Sequence, residues 1–283
     1  MMITGRIAVI GAGTMGHGIA QAAAQAGYAT VLCDIDGDLV AAGLENIEAN
    51  LEKGVELGKV DAEEAVAARQ RIEGAVGLDT LADVNVVIEA IPEDLELKRA
   101  TFVRLEKICA SDTLFATNTS SLSVAAIAAP LSHPGRLLGT HFFNPVHLMK
   151  LIEIVRHDDT PDEVVDRAVV IGEAMGKTPI VVRDFPGFAS SRLGVVLGLE
   201  AMRMVEQGVA EPAAIDTAME LGYRHPMGPL KLTDLVGLDV RLAIARYLHA
   251  ELESEAFRPP AILEHMVEEG RLGKKVGRGF YEW

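Results

Sequence analysis

Apolar and polar positions alternate along this chain in blocks whose lengths separate strands from helices. Short apolar runs bounded by turn residues recur at 6–10, 29–34, 84–90, 113–117, 136–140, 150–155 and 178–183, and predict buried strands. Helix-like stretches lie between most of them, so residues 1–185 read as a doubly wound α/β domain. The connection across 37–73 is longer than a plain crossover. It holds two polar helices broken near Gly54 and Gly58, which predicts a helical hairpin projecting from the sheet. After Phe185-Pro186-Gly187 the strand pattern stops. Helices fit at 188–207, 211–221, 228–253 and 259–269, so residues 186–283 read as an all-helical domain. The helix at 188–207 carries few charges, and so small a domain could hardly surround it. That predicts packing against a second copy of the chain, as a homodimer.

The first strand runs directly into Gly11-Ala-Gly13-Thr14-Met15-Gly16, an alanine-rich helix follows, and the second strand ends at Asp34. This is the strand–turn–helix–strand setting in which a G-x-G-x-x-G pattern binds a dinucleotide. Gly11 permits the tight turn, Gly13 lets a pyrophosphate approach the backbone, and Gly16 lets helix and strand pack closely. Asp34 is placed to accept bonds from a ribose 2′-hydroxyl, and Ile35, Asp36 and Gly37 supply no cation for a 2′-phosphate. NAD is therefore expected as cofactor in preference to NADP.

The balance of 26 basic and 41 acidic residues gives a net charge of −15, which opposes contact with a nucleic-acid backbone. No apolar run approaches the length of a membrane span and no targeting segment is visible, so a cytoplasmic protein without membrane contact is expected. Cys33 and Cys109 read as small buried hydrophobes in a reducing compartment, and no metal is expected.

Three clusters follow the later strands. Asn118-Thr119-Ser120-Ser121 comes just after the strand ending at Thr117, where ligands of open α/β sheets bind. Its side chains could hold a substrate oxygen, or cap the helix that follows. His141-Phe-Phe-Asn144-Pro145 follows another strand, and a histidine there is a candidate general base. Glu153 sits among Leu151, Ile152, Ile154 and Val155, so its carboxylate needs a buried partner, and the imidazole would serve. Of the other histidines, His133, His157, His249 and His265 read as surface residues. Lys53 and Lys59 of the hairpin are candidate phosphate contacts.

Together with VIEAIPEDLELK at 87–98, HPMGPLKLTDLVGLD at 225–239 and GKKVGRGFYEW at 273–283, these motifs resemble the L-3-hydroxyacyl-CoA dehydrogenases, particularly the bacterial 3-hydroxybutyryl-CoA type, over essentially the whole chain. The resemblance implies NAD-dependent oxidation of a short-chain 3-hydroxyacyl-CoA to the 3-ketoacyl-CoA. It implies that Gly11, Gly13, Thr14, Met15, Gly16, Asp34 and Asn118 bind the cofactor, and that Glu93 and Lys98 contact its nicotinamide-side ribose. His141 would be the base, Glu153 would orient it, and Ser120 would hydrogen-bond the reacting oxygen. Asn144 and Ser191 would contact the substrate, the hairpin with Lys53 and Lys59 would cover the CoA adenosine end, and the C-terminal helices would close the cleft and form the dimer. At one position the chain departs: Pro186-Gly-Phe-Ala-Ser-Ser191-Arg192 has serine where the family has asparagine. A dehydrogenase of a free 3-hydroxy acid and a non-catalytic NAD-binding protein are the alternative readings.

Overall fold

A computed structural model describes residues 5–283. The chain divides into two compact units, one ending at Asp184 and the other spanning Phe185–Trp283.

The first unit is built on one eight-stranded sheet, from β1 (Arg6–Ile10), β2 (Ala29–Asp34), β3 (Ile72–Val76), β4 (Val86–Glu89), β5 (Leu114–Thr117), β6 (Leu137–Phe142), β7 (Leu151–Arg156) and β8 (Thr178–Arg183). Their order is β3-β2-β1-β4-β5-β6-β7-β8. All neighbours are parallel except β6 and β7, which run antiparallel. The chain leaves β1 toward β2 on one side and returns to place β4 on the other. That reversal is the switch point at which such sheets bind ligands, beyond the strands' carboxyl ends. The central strands are buried on both faces; Ile7, Val9, Leu32, Ile88, Ala116, Leu138 and Ile154 share one core with α1 (Thr14–Gln25), the hairpin helices, Val165 and Ala168.

The hairpin consists of α2 (Gly37–Glu56) and α3 (Ala62–Gln70), each started by an aspartate. Asp36 accepts from the Asp38 amide at 2.7 Å, and Asp61 from the Glu63 amide at 2.8 Å. Such caps are worth about 1 kcal/mol each. Only Val40, Gly43, Ile47 and Leu51 of α2 are buried, so the hairpin rests on the domain by one stripe. Two details differ from the sequence pattern. Helix α2 runs through Gly54, where the close side chain of Val60 fills the place of a Cβ. Residues 72–76, of which 72 and 73 fall within the predicted 37–73 connection and 74–76 in no predicted element, form β3 at the sheet edge, paired in parallel with β2.

Helices α4 (Leu95–Ile108), α5 (Val124–Ala128) and α6 (Asp162–Ala174) complete this unit. The second unit contains α7 (Ser190–Glu206), α8 (Pro212–Gly222), α9 (Pro229–Val236), α10 (Leu238–Leu252) and α11 (Ala261–Glu268). The apolar pattern at 228–253 predicts one helix, but Gly237 divides it. Its φ of +102° is open to glycine, and α9 ends as α10 begins there. The core is Val195, Leu199, Met202, Ile215, Leu230, Leu242, Leu248 and Met266 with their neighbours. Two buried aspartates fasten the C-terminal tail to it. Asp234 accepts from the amides of Phe280 and Tyr281 and from the Trp283 indole, each at 2.9 Å. Asp216 accepts from the amides of Leu230 and Lys231 and from the Tyr281 hydroxyl. Buried carboxylates survive only with such partners. Among the described residues no helix is long and apolar enough to cross a membrane.

Candidate active site

The glycine turn between β1 and α1 has the shape its spacing implies. Gly11 has φ +97°, and a Cβ there would lie 2.5 Å from the Ala90 carbonyl oxygen. A Cβ on Gly16 would fall 1.6 Å from the Gly11 oxygen, so strand and helix approach as closely as backbone allows. Nothing lies within 4 Å of a Cβ built on Gly13, which leaves open the space a pyrophosphate needs. Helix α1 starts without a side-chain cap, so the amides of Thr14, Met15 and Gly16 remain for an anion. Asp34 ends the neighbouring strand. Its Oδ2 accepts from the Ala12 amide and its Oδ1 from the Ile35 amide, both at 2.7 Å. Each oxygen keeps a lone pair for a ribose hydroxyl. These residues fit a dinucleotide with a free 2′-hydroxyl.

The second cluster is a chain of charges behind the loop after β5. Glu89 closes β4 and is fully buried. It accepts from Lys98 Nζ at 2.6 Å, from the Thr117 hydroxyl at 2.7 Å and from the Ile91 amide at 2.8 Å. Burial outweighs these donors and holds its carboxyl above the ordinary glutamate value. Lys98, on α4, is itself 1% exposed. Its ammonium is engaged by Glu89, by the Ile91 carbonyl at 3.3 Å and by Glu93 at 3.3 Å. Glu93 in turn accepts from the Thr119 hydroxyl at 2.6 Å, the Ser121 hydroxyl at 3.1 Å, and the Ser120 and Ser121 amides at 3.1 and 3.2 Å. Burial alone would raise the Glu93 carboxyl. The Thr119 bond, the Lys98 charge and the serine donors prevail and hold it below the usual carboxylate range. Lys98 pairs with Glu93, and Glu93 holds the loop that carries Ser120. The Asn118 side-chain Oδ1 accepts from the Phe142 amide at 2.9 Å, which ties this loop to the end of β6 and leaves the side-chain nitrogen as donor.

The third cluster joins β6 and β7. Their antiparallel register puts His141 directly opposite Glu153. The imidazole Nδ1 lies 2.7 Å from Glu153 Oε2, with both side chains buried. A carboxylate only accepts, so Nδ1 carries the proton and Nε2 the lone pair. The Phe143 ring packs 4.5 Å from the imidazole, centroid to centroid. Asn144 follows in an exposed position with a cis bond to Pro145. A polar residue inside an apolar strand is the signal that singles out Glu153; Glu89 carries the same signal at the end of Val86-Val-Ile-Glu89.

Lys53 and Lys59 are exposed on the hairpin. Lys59 contributes, with Lys177 and His17, to a positive potential at His147. Burial first, and then these three charges, holds that imidazole below its ordinary value. Lys177 also donates to the carbonyls of Val146 and, at 2.9 Å, Met149, which pins the connection after Asn144. This grouping of four basic side chains from distant positions has no signature in the sequence. His157, read above as a surface residue, is buried, with Nε2 3.0 Å from the Leu137 carbonyl oxygen. Ser191 lies in the first turn of α7, in the helical unit.

A doubly wound sheet with a glycine turn, an acid at the end of the second strand and a carboxylate-oriented histidine defines an NAD-binding dehydrogenase. Residues 6–185 match the family description "3-hydroxyacyl-CoA dehydrogenase, NAD binding domain", and residues 187–283 match the C-terminal domain of the same family. The chain belongs to the 3-hydroxyacyl-CoA dehydrogenase family. It is 43% identical to a probable 3-hydroxybutyryl-CoA dehydrogenase of Bacillus subtilis, over 98% of this chain and 97% of that one. It is 41% identical to the 3-hydroxyadipyl-CoA dehydrogenase of Escherichia coli, over 98% of this chain and 58% of that one. Among solved structures it superposes on the (S)-3-hydroxybutyryl-CoA dehydrogenase of Ralstonia eutropha with a TM-score of 0.95, at 37% identity over 98% of both chains.

Proposed function

We propose that this protein oxidises L-3-hydroxyacyl-CoA thioesters of short acyl chain, 3-hydroxybutyryl-CoA among them, to 3-ketoacyl-CoA, and catalyses the reverse. The observation that carries the reading is the buried His141–Glu153 pair at the carboxyl end of β6, in a chain of this family. NAD, when bound, accepts the hydride from C3. The chain's own residues handle the proton and the oxygen. His141 Nε2 takes the proton of the 3-hydroxyl, and the imidazolium that forms is stabilised by Glu153. The Ser120 hydroxyl donates to the same oxygen as its charge develops. Asn118 holds the cofactor through its amide nitrogen, while Glu93 and Lys98 fix the loop beside it. Asn144 and Ser191 contact the substrate. Lys59, in its basic group with His17, His147 and Lys177, and Lys53 along α2 receive the phosphates of CoA.

Mixing the purified protein with NADH and acetoacetyl-CoA tests this: loss of NADH absorbance is expected, and none with free 3-oxo acids. Turnover of a free acid without turnover of the thioester would overturn the reading in favour of a hydroxy-acid dehydrogenase.

The proposal extends to a homodimer formed through the helical unit. Leu193 and Leu197 on α7, Leu232, Leu235 and Val236 on α9 and Val240 on α10 are all exposed, and such a concentration of apolar side chains marks an interface. It extends also to a cytoplasmic location, where the free thiols of Cys33 and Cys109 suit a reducing compartment.

A further inference from the structure

The polar bonds behind the Ser120 loop close into a ring within the first unit. Lys98 Nζ donates to Glu89 Oε1 at 2.6 Å and reaches Glu93 Oε2 at 3.3 Å. Glu93 Oε1 accepts from the Thr119 hydroxyl at 2.6 Å. The Thr119 amide donates to Thr117 Oγ1 at 3.3 Å, and the Thr117 hydroxyl returns to Glu89 Oε2 at 2.7 Å. The ring thus holds two carboxyl groups and one ammonium. Both oxygens of Glu89 accept, from Lys98, Ile91 and Thr117, and Thr117 Oγ1 already accepts from the Thr119 amide, so the bonds fit the ionised form of Glu89. Glu93 is ionised as well, since its carboxyl is held below the usual range. One negative charge is left over.

That charge is not shared evenly. The ammonium sits closer to Glu89, which is fully buried, than to Glu93, whose side chain is 37% exposed. The loop donors on Glu93 all meet Oε1, and Oε2 has only the longer contact with Lys98. The surplus falls on the exposed carboxylate, at the oxygen with the fewest donors.

The fold says which part of a dinucleotide meets it. Asp34 on β2 and the glycine turn after β1 are placed for the adenosine ribose and the pyrophosphate. A doubly wound sheet takes the second nucleotide on the other side of the switch point, here over β4 and β5. Glu93 follows β4, and its partners Thr119, Ser120 and Ser121 follow β5. The group that arrives there is the nicotinamide, which carries a positive charge when oxidised and none when reduced.

We propose that the ring of Glu89, Lys98 and Glu93 discriminates between the redox forms of the cofactor, its surplus negative charge favouring the oxidised nicotinamide over the reduced one. Glu89 is then a positioning residue. It draws the Lys98 ammonium inward and keeps it from neutralising Glu93. This rests on the NAD-dependent reading given above and deepens its cofactor side.

Binding of the two forms provides the test, NADH followed by its own fluorescence and NAD by competition with it. Both forms carry the same pyrophosphate and riboses, so the ratio of Kd for NAD to Kd for NADH isolates the charge on the nicotinamide. Glu89→Gln and Glu93→Gln each leave the ring neutral. Each should raise that ratio about three- to tenfold, the size of one charge pair in a partly solvated site. Glu89→Gln combined with Lys98→Met removes an anion and a cation together, a change that buried pairs often tolerate, and restores the surplus. Its ratio should return to within about twofold of the wild type, even where both constants weaken. A purely structural role predicts instead that every variant weakens both forms alike. Equal changes in the two constants would therefore overturn the proposal. So would a ratio unmoved in Glu89→Gln, or a double variant that keeps the shifted ratio. If Glu89→Gln does not fold, Glu93→Gln and the double variant supply the same contrast. The measurement needs no thioester, so these failures leave the dehydrogenase reading intact. A wild type that binds neither form would remove that reading and this inference together.

Discussion

Lys98 Nζ lies 2.6 Å from Glu89 Oε1, and neither side chain reaches solvent. Removing one member of such a pair strands the other. Lys98→Met should therefore destabilise the fold by about 3–5 kcal/mol, with the Glu89 carboxylate left among apolar strands. Denaturant unfolding of the variant checks this, and a loss within experimental error would show that the pair is replaceable.

Glu93 offers a pH signature. Its carboxyl sits below the usual range in the folded state, so its ionised form adds stability that is complete above the unfolded carboxylate pKa of about 4.3 and is lost as pH falls through the lower folded value. Glu93→Gln should flatten that acid loss in a Tm-against-pH series. It should also lower kcat, by up to about 10²-fold if the Ser120 loop shifts. A variant with wild-type kcat would detach Glu93 from catalysis.

His141→Ala should lower kcat by about 10²–10⁴-fold with KM for NAD nearly unchanged. Glu153→Gln should lower kcat while keeping the fold, since an amide still fills the space opposite the imidazole. Alcohol oxidation in the wild type should fall toward acid pH as one group protonates, and ketone reduction should not share that fall. Wild-type-like turnover by His141→Ala would refute the assignment of the base.

Asp34 should select NAD. Asp34→Ala is expected to weaken NAD binding and to narrow the ratio of kcat/KM values for NAD and NADP. Equal use of the two cofactors by the wild type would contradict the role drawn from its two acceptor oxygens.

The dimer can be probed without harming the core. Leu199 is buried within its own unit, so a charge there tests folding rather than association. Leu193 and Leu197 are the exposed members of the same helix. Leu197→Asp should give a folded monomer in light scattering, where the wild type should give twice the 30.2 kDa chain mass. A wild-type monomer would end the proposal.

Much of this arrangement is legible in the sequence because certain residues can have only one setting. Gly11 and Gly16 mark a backbone approach that no other residue permits, and Glu153 within Leu-Ile-Glu-Ile-Val demands a buried donor. The third strand is less legible because it is an edge. Of Ile72-Glu-Gly-Ala-Val76 only Ile72 is buried, so the apolar signature of a core strand is missing. The division at Gly237 is hidden by apolar neighbours on both sides.

The antiparallel pairing of β6 with β7 has a further consequence. Side chains along a strand alternate between faces, so a slip of one residue in that pairing would send His141 and Glu153 to opposite sides of the sheet. The connection over residues 143–150 is therefore under a constraint that its exposed surface does not reveal. It can change in composition, but an insertion or deletion that is absorbed by shifting β7 would separate His141 from Glu153 and leave that carboxylate buried without its partner. The alignment of two strands, as much as the identity of two side chains, carries the inheritance of this chemistry.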